Sequence, residues 1–201
     1  IAYATYDNAG LSGYELRRKT SDMSGSEESL VKSDAIIRLW DWAPDGTYLV
    51  YNSNNALWQL PVDAQRSPRK PVQLTTAATD EEYGQVSPDG RWLAYAAGDR
   101  GDMQVYVQPM PATGAMWLVS KDGGTQPRWR RDGKELYYRG ADGRLMAVPI
   151  VAASGTGFQN GTPQALFGSI PTFGNTTRFT YQPSADGQRF LVAVPVESAA
   201  K

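Results

Sequence analysis

Apolar and polar residues alternate along short segments of this chain, and one such segment recurs four times. In each copy two large apolar residues are separated by one position, and the opening residues 1–3 fit the same register. Alternation with period two predicts a β-strand with one buried face. The four pairs are Leu49/Tyr51, Leu93/Tyr95, Leu136/Tyr138 and Phe190/Val192.

An Asp-Gly pair stands a few residues before each of these strands. The pairs are spaced roughly 43 to 54 residues apart. Gly accepts positive φ and Asp can bond its own backbone, so Asp-Gly predicts a tight hairpin turn. We therefore interpret the repeated carboxylates as turn formers rather than as an acidic catalytic set. These pairs are Asp45-Gly46, Asp89-Gly90, Asp132-Gly133 and Asp186-Gly187.

Two further strands are predicted in each repeat. A third strand is expected at 56–62, 103–108 and 144–150. A fourth is expected around four leucines at similar spacing, Leu30, Leu74, Leu118 and Leu166. Four strands in a unit of roughly 44 residues are typical of one blade of a β-propeller.

The sequence thus predicts an all-β fold, a β-propeller of four-stranded antiparallel blades, with roughly three full and two partial blades. The expected blades are 35–79, 80–124 and 125–172, with partial blades at 1–34 and 173–201. An irregular β-sandwich also has strands at regular intervals, but it has no reason to repeat one turn and one register. The two partial blades do not add up to one blade, and the first residues include no initiator Met or leader-like run, so we expect further blades upstream in a longer protein.

The fourth unit has a longer connection than the others between its third and fourth strands. The sequence there is rich in Gly and small residues, from 152 to 157 and again from 160 to 163. Such a segment predicts a solvated loop.

Composition excludes several classes of function. Twenty Lys and Arg against twenty-one Asp and Glu give a formal charge of −1, whereas nucleic-acid binders usually carry a clear basic excess. The chain contains no His and no Cys, which excludes a Ser-His-Asp triad, thiolate chemistry and disulfides. No run of about 18 apolar residues is present, so this chain is not expected to insert into a membrane.

The decapeptide Val86-Ser87-Pro88-Asp89-Gly90-Arg91-Trp92-Leu93-Ala94-Tyr95 resembles the TolB-type propeller repeat. The segments 105–109 and 123–138 are similar to the C-terminal propeller region of bacterial proteins that carry an N-terminal serine/threonine kinase domain. The resemblance covers nearly the whole chain and is strongest over 80–150. None of the kinase motifs occurs in this sequence.

The resemblance implies a non-catalytic, periplasmic or otherwise extracytoplasmic propeller. Such a module would bind a protein, a peptide or a small molecule, as a sensor or scaffold in a larger bacterial protein with an upstream kinase and a transmembrane segment. The alternative is the propeller part of an enzyme, either a glycoside-type hydrolase or the gating domain of a prolyl-oligopeptidase-like serine peptidase. A pair of carboxylates converging in the channel would favour the hydrolase.

Two acidic loops are candidate sites at the mouth of the channel. One contains Asp80 and Glu82, followed by Tyr83, and the other contains Asp99, Arg100 and Asp102. Both fall on connections that a propeller places opposite the Asp-Gly turns. Grouped carboxylates could hold Ca²⁺ there, but the spacing matches no calcium loop, and no cofactor is expected.

The inner strand of the fourth unit supplies a second candidate. Arg128 and Arg130 share one parity there, with Gln126 on the same strand. They form either ion pairs with neighbouring carboxylates or an anion-binding patch in the channel, because Arg grips carboxylates and phosphates through two hydrogen bonds. Trp40 departs from the regular Trp pattern and is a candidate binding aromatic.

Overall fold

The described part of the chain is built from short antiparallel β-strands. The computed structural model describes residues 1–6, 13–22, 24–62, 70–76, 78–154, 157–172 and 178–195. Within these ranges there is no helix, and hence none long and apolar enough to cross a membrane.

The strands form five antiparallel sheets in chain order. Sheet 1 contains β1 (Ala2–Tyr6), β2 (Tyr14–Arg18) and β3 (Glu28–Ser33). Sheet 2 contains β4 (Arg38–Trp42), β5 (Tyr48–Ser53), β6 (Ala56–Pro61) and β7 (Val72–Gln73). Sheet 3 contains β8 (Asp80–Val86), β9 (Trp92–Gly98), β10 (Gln104–Pro109) and β11 (Trp117–Leu118). Sheet 4 contains β12 (Gly124–Trp129), β13 (Glu135–Gly140), β14 (Leu145–Ser154), β15 (Gly157–Asn160) and β16 (Gln164–Phe167). Sheet 5 contains β17 (Tyr181–Pro183) and β18 (Phe190–Val192).

Sheets 2 and 3 are four-stranded meanders, and sheet 4 is a similar meander with one extra strand. The first strands of sheets 2, 3 and 4 contact one another in succession. Sheet 1 lacks a first strand among the described residues, since β1 corresponds to the second strand of the other sheets, and sheet 5 has two strands. This arrangement confirms the predicted fold class of propeller blades.

The four Asp-Gly pairs form the turns between first and second strands. In each turn the carboxylate accepts a hydrogen bond from the backbone N–H two residues later, at 3.0 to 3.1 Å. Each Gly has φ between 71° and 76°, which a residue with a side chain rarely adopts. The hydrogen bonds and dihedrals account for the repeated Asp-Gly pair as a turn former.

The second strands of sheets 2, 3 and 4 bury both faces, which corrects the prediction of a single buried face for these strands. In β5, Leu49 and Tyr51 pack in the core shared with sheet 1, whereas Val50 packs in the core shared with sheet 3. In β9, Leu93 packs toward sheet 2 and Ala94 toward sheet 4. The alternation therefore separates two cores, one on each side of the blade, because sheets 2, 3 and 4 are each covered by a neighbour on both faces.

The fourth-strand leucines are not equivalent in the structure. Leu30 and Leu74 are buried between sheets, but Leu118 and Leu166 are about half exposed, at 53% and 46%. In sheet 3 the neighbouring Val119 takes the buried position instead. The outer strands β7 and β11 are only two residues long, so they contribute few side chains to the core.

The predicted solvated loop of the fourth unit is wrong in part, since its described residues form a hairpin. β14 continues to Ser154 and β15 returns along it, with Ile150 paired to Asn160. Phe158 on β15 is 6% exposed and packs against Trp92, Trp117 and Trp129, with ring centroids 5.3, 6.0 and 6.4 Å away. The insertion therefore adds an aromatic side chain to the core between sheets 3 and 4.

We expect Phe158→Ala to lower the free energy of unfolding by about 3–5 kcal/mol, because truncating a buried Phe leaves a cavity that the surrounding indoles fill incompletely. Urea denaturation followed by Trp fluorescence measures the change. Val151→Ala is the matched control on the same hairpin, since Val151 is 63% exposed, and it should change the value by less than about 0.5 kcal/mol. Equal effects of the two substitutions would contradict a core role for the hairpin.

Candidate functional site

The first strand of each full sheet carries a β-bulge at the same point. The register shifts between Leu39 and Asp41 in β4, between Glu82 and Gln85 in β8, and between Thr125 and Arg128 in β12. Tyr83 and Gln126 within these bulges have positive φ, 59° and 58°. A bulge re-aims the side chains around it, so these positions are the ones at which inner-strand side chains leave the regular alternation.

One residue after the bulge, a side chain joins each sheet to the next. Asp41 Oδ2 accepts a hydrogen bond of 2.8 Å from the backbone N–H of Val86. Gln85, at the same position of the next sheet, accepts one of 2.9 Å from the backbone N–H of Trp129. In both cases the acceptor stands four residues before the turn Asp, and the donor stands three residues before the turn Asp of the following sheet. This inter-sheet hydrogen bond satisfies a backbone donor that points away from the ladder, because the first strand is the edge strand of its sheet.

The third copy of this hydrogen bond is absent, because both of its partners are replaced. The acceptor position is Arg128, whose guanidinium has donors and no acceptor, and the donor position is Pro183, which has no N–H. Because Pro183 has no N–H, the presence of Arg128 at the acceptor position leaves no backbone donor there without a partner. Arg128 is thereby free of the structural role that Asp41 and Gln85 have.

Other groups hold sheets 4 and 5 together in its place. The amide oxygen of Gln126 accepts hydrogen bonds from the backbone N–H and the hydroxyl of Thr180, at 2.8 and 3.0 Å. The hydroxyl of Tyr181 donates to the backbone carbonyl of Gln126 at 2.8 Å. Both Gln126 and Tyr181 are buried. Gln126, a predicted ligand-binding residue, therefore has its amide oxygen occupied by a structural role.

Arg128 is a partly buried cation with unused hydrogen-bonding capacity. Its guanidinium carbon lies 3.5 Å from the centre of the Phe179 ring, a cation–π contact. Its Nε hydrogen has no acceptor among the described residues. Burial lowers the pKa of Arg128 from its usual value, while Tyr181 and Asp41 act in the opposite direction. The group remains a cation at neutral pH because the usual pKa of Arg is so high.

Three aromatic rings pack against one another beside Arg128. The centroid of Trp40 lies 4.9 Å from that of Tyr83 and 5.8 Å from that of Phe179, and Tyr83 lies 5.4 Å from Phe179. The indole N–H of Trp40 is buried without an acceptor among the described residues. We call these rings, together with Asp41 and Arg128, the inner-strand cluster. Trp40, the candidate binding aromatic, is a half-buried member of it.

Two open grooves give solvent access to Trp40, Phe179 and Arg128 of the inner-strand cluster. One, of about 530 Å³, is bordered by Trp40, Phe179 and Arg38 among others. The other, of about 330 Å³, is bordered by Arg128, Phe179 and Leu191 among others. A small molecule could therefore reach the cluster from either side of Phe179.

Asp41 supplies the negative charge of the cluster. Its two carboxylate oxygens accept hydrogen bonds from the backbone N–H groups of Val86 and Trp42. Burial raises the pKa of Asp41 to about 6, although these two hydrogen bonds and the charge of Arg128 oppose the rise. Asp41 forms no ion pair among the described residues. The carboxylate is held firmly but its charge is incompletely compensated.

The structure divides the predicted site residues into separate groups. Tyr83 and Arg128 come together in the inner-strand cluster, and Glu82 adjoins Tyr83, whose pKa burial raises to about 12 with a smaller contribution from the Glu82 charge. Arg130 pairs with Asp132 and Glu135, both at 2.7 Å, beside the Asp-Gly turn. The ion-pairing interpretation therefore holds for Arg130. Both arginines follow the bulge in regular register and share the face of β12 toward sheet 5.

The acidic loops lie at the other end of sheet 3 from the turns. Asp80 is paired across the ladder with Gly98, and its carboxylate is 3.8 Å from the guanidinium of Arg100. Asp99 and Asp102 are exposed in the turn between β9 and β10, where Asp102 N–H donates to the Asp99 carbonyl. Within the described ranges no three Asp or Glu side chains are close enough together to hold a metal ion, so the calcium alternative has no support there.

Sequence reasoning missed Asp41, Phe179 and Pro183. The signal for two of them was present in the repeat. The position four residues before each turn Asp reads Asp41, Gln85, Arg128 and Gln182, and the next position is Pro only in the last copy. A cation at the position that otherwise holds a hydrogen-bond acceptor, together with a Pro at the position that otherwise holds the donor, would have indicated that the third interface differs. Phe179 carries no such signal because it precedes the strand.

The fold is that of a TolB-like β-propeller. The chain is similar to TolB from Acinetobacter baumannii, with a TM-score of 0.72 and 19% sequence identity over 98% of this chain and 47% of that one. It is also similar to a putative TolB from Agrobacterium tumefaciens, with a TM-score of 0.63 and 17% identity over 83% of this chain and 60% of that one. The chain thus spans less than two thirds of the length of either structure.

The chain also resembles the structure of an enzyme, at a lower TM-score. A puromycin-hydrolyzing peptidase of Mycobacterium tuberculosis matches with a TM-score of 0.56 and 18% identity, over 84% of this chain and 29% of that one.

In sequence, the uncharacterized protein Atu1656 of Agrobacterium fabrum is 30% identical over 103 residues, which are 50% of this chain and 34% of that protein. No protein-family model matches the chain.

Asp41 should make stability fall with pH over a defined window. Its carboxyl binds a proton more tightly in the folded chain, with a pKa of about 6, than when unfolded, at 3.8. The stabilisation from the neutral form is therefore complete below pH 4 and is lost as the pH rises toward and through 6, to a total of up to about 3 kcal/mol. Asp41→Asn keeps an acceptor but does not titrate, so the unfolding free energy of wild type relative to this variant should decrease over that window.

Urea unfolding at intervals between pH 4 and 7.5 measures this difference. Asp45→Asn is the control, because hydrogen bonds from Thr47 lower the pKa of Asp45, so its contribution has the opposite sign. A constant difference between wild type and Asp41→Asn over the whole range would show that Asp41 is ionised in the folded chain at pH 4.

Proposed function

We propose that this chain is a non-catalytic binding module, and that it recognises a carboxylate-bearing ligand at the inner-strand cluster. The observation that carries the proposal is the paired exchange of Arg128 and Pro183 in a hydrogen bond that the two preceding sheet interfaces both contain. Arg128 replaces a structural hydrogen-bond acceptor, and Pro183 on the facing strand removes the donor that would need one. The Arg128 side chain is therefore available for a ligand.

The chemistry of Arg128 favours an anion over a neutral ligand. A guanidinium is a planar donor that binds a carboxylate through two parallel hydrogen bonds, and such charge-assisted bonds are roughly twice as strong as neutral ones. Phe179 covers one face of the guanidinium and orients its edge. The rings of Trp40 and Phe179, which border the larger groove, would pack against an apolar part of the ligand.

The hydrolase alternative requires two carboxylates that act on each other in the channel. Asp41 is the carboxylate of the inner-strand cluster, and the charge that acts on its pKa is that of Arg128, with no second carboxylate contributing. A carboxylate whose charged neighbour is an Arg, rather than a second carboxylate, supports binding rather than acid/base catalysis. The gating role in a serine peptidase would place the chemistry in another part of a longer protein.

We further propose that the module works outside the cytoplasm, as a sensor or scaffold of a larger bacterial protein. The TolB-like fold supports this placement, as does the similarity to a periplasmic gluconolactonase of Pseudomonas aeruginosa, with a TM-score of 0.56 and 17% identity over 90% of this chain and 56% of that one. A protein or peptide partner and an upstream kinase remain predictions from the sequence resemblance.

Replacing Arg128 should abolish carboxylate binding. The probe is 3-phenylpropionate, which combines a carboxylate with an aromatic ring, titrated at pH 7 into isotopically labelled protein and followed by NMR, including the Arg Nε–H resonances. We expect saturable shifts at the inner-strand cluster in the wild type. Arg128→Gln should weaken binding at least tenfold, because truncating one partner of a desolvated charge pair costs about 2–5 kcal/mol.

A double variant separates loss of the ligand site from loss of the fold. Arg128→Gln combined with Pro183→Val supplies the acceptor and the donor that occur at the two preceding interfaces. We expect this variant to recover the thermal stability that Arg128→Gln loses and still to bind 3-phenylpropionate at least tenfold more weakly than wild type. Wild-type affinity in the double variant, or no binding by the wild-type protein, would overturn the proposed function.

A further inference from the structure

The arginines of the described ranges divide into two equal groups. Six of the twelve form an ion pair with Asp or Glu, and six form none within those ranges. The paired residues are Arg17, Arg18, Arg91, Arg100, Arg130 and Arg144. Of the six without an ion pair, three border the two grooves that share Phe179, namely Arg38, Arg128 and Arg178. Cations without a carboxylate partner are therefore grouped around one aromatic ring.

The larger groove, of about 530 Å³, is both basic and aromatic. Arg38 and Arg178 line it together with the rings of Trp40 and Phe179. None of the described residues that line it is Asp or Glu. The two guanidinium groups are therefore not neutralised from within the groove, and each carries five hydrogen-bond donors. This chemistry suits an anionic group that lies beside an apolar one.

The smaller groove, of about 330 Å³, has a similar lining. Arg128 and Phe179 both border it, and the guanidinium carbon of Arg128 lies 3.5 Å from the centre of the Phe179 ring. Again, none of the lining residues that the structure describes is acidic, and the carboxylates of Asp41 and Glu82 border neither groove. Arg128 therefore supplies a place for one anionic group, separate from the place that Arg38 and Arg178 supply.

Phe179 connects the two places, because its ring borders both grooves. The ring also contacts Trp40 edge to face, with centroids 5.8 Å apart. A ligand that extends over Phe179 would meet apolar ring surface in the middle and a guanidinium group at each end. A ligand with one carboxylate would satisfy Arg128 and leave the two cations of the larger groove without an anion.

Resting on the proposed function, we propose that the ligand is a dicarboxylate with an apolar middle. One carboxylate binds Arg128 in the smaller groove, and the other binds Arg38 and Arg178 in the larger groove. The apolar middle packs against Phe179 and Trp40. The second carboxylate is the feature that the proposed function alone does not require.

The experiment compares a dicarboxylate with a probe of the same shape that carries one charge. The dicarboxylate is 1,4-phenylenedipropionate, the matched probe is its monoamide, and 3-phenylpropionate is the reference. Affinities for the wild type are measured by NMR titration and calorimetry at pH 7. We expect the dicarboxylate to bind about tenfold more tightly than the monoamide, because the second carboxylate forms charge-assisted hydrogen bonds that are about twice as strong as those of an amide.

Variants at the larger groove test the second contact through the ratio of the two affinities. Arg38→Gln and Arg178→Gln should each lower the ratio of dicarboxylate to monoamide affinity, and the double variant should bring it to about one, because amide side chains form no charge-assisted bond. Arg178 is exposed, so its replacement tests the contact with little effect on folding. Arg144→Gln removes the same charge from an exposed pair with Asp142 outside both grooves, and it should leave the ratio unchanged.

The Arg Nε–H resonances, assigned through the variants, give a readout that a change in stability would not reproduce. The dicarboxylate should shift the resonances of Arg38, Arg128 and Arg178 in the wild type. If the dicarboxylate and the monoamide bind equally well, the inference is overturned while the proposed function stands. A ratio that the double variant does not lower also overturns the inference. If no probe that carries a carboxylate binds, both the inference and the proposed function are overturned.

Discussion

The structure depends on the requirement that each of the three full blades, sheets 2, 3 and 4, be covered on both faces by its neighbours. A blade of four or five short strands buries too little on its own, and the second strands of these blades meet the requirement by sending alternate side chains into two different cores. The same requirement reaches the backbone, because the first strand of each blade is an edge strand and has N–H groups that point out of the ladder toward the preceding sheet. Asp41 and Gln85 supply the acceptors for two of these groups.

The exception at the third interface follows from this requirement. A buried backbone donor without an acceptor costs about 1–3 kcal/mol, so an Arg at the acceptor position is tolerated when the facing donor is removed. Pro183 removes it. The bonds from Thr180 and Tyr181 to Gln126 then hold the two sheets together at an adjacent position. The interface thus retains its hydrogen bonds while one side chain is released, and the cost of a partly buried cation is limited by the ring of Phe179.

Much of this fold was readable from the sequence because repetition makes local signals reinforce one another. The Asp-Gly turn recurs four times and the Leu-x-Tyr strand three times, and each is decided by short-range chemistry, so the repeated copies identify a blade. The sequence could not show that the strands bury both faces, since Val50 and Ala94 between the large residues look unremarkable until neighbouring sheets cover them. Nor could it show the hairpin of β14 and β15, because its small residues favour a loop locally and Phe158 is buried only through rings distant in the sequence, Trp92, Trp117 and Trp129.

The site was less readable than the fold, and for a physical reason. Arg128 was a candidate because of its charge, but the sequence could not show that Arg130 on the same face is neutralised by Asp132 and Glu135 whereas Arg128 stacks on Phe179. Asp41 was overlooked because an isolated Asp beside Trp residues has no chemical signature until burial raises its pKa. Sites of this kind become visible when equivalent positions of the repeat are compared. Where equivalent side chains form the same inter-sheet hydrogen bond in successive blades, a side chain that cannot form it no longer has that structural role. The departure is informative here because the acceptor and the donor change together, as a change for function requires and a random loss of a hydrogen bond does not.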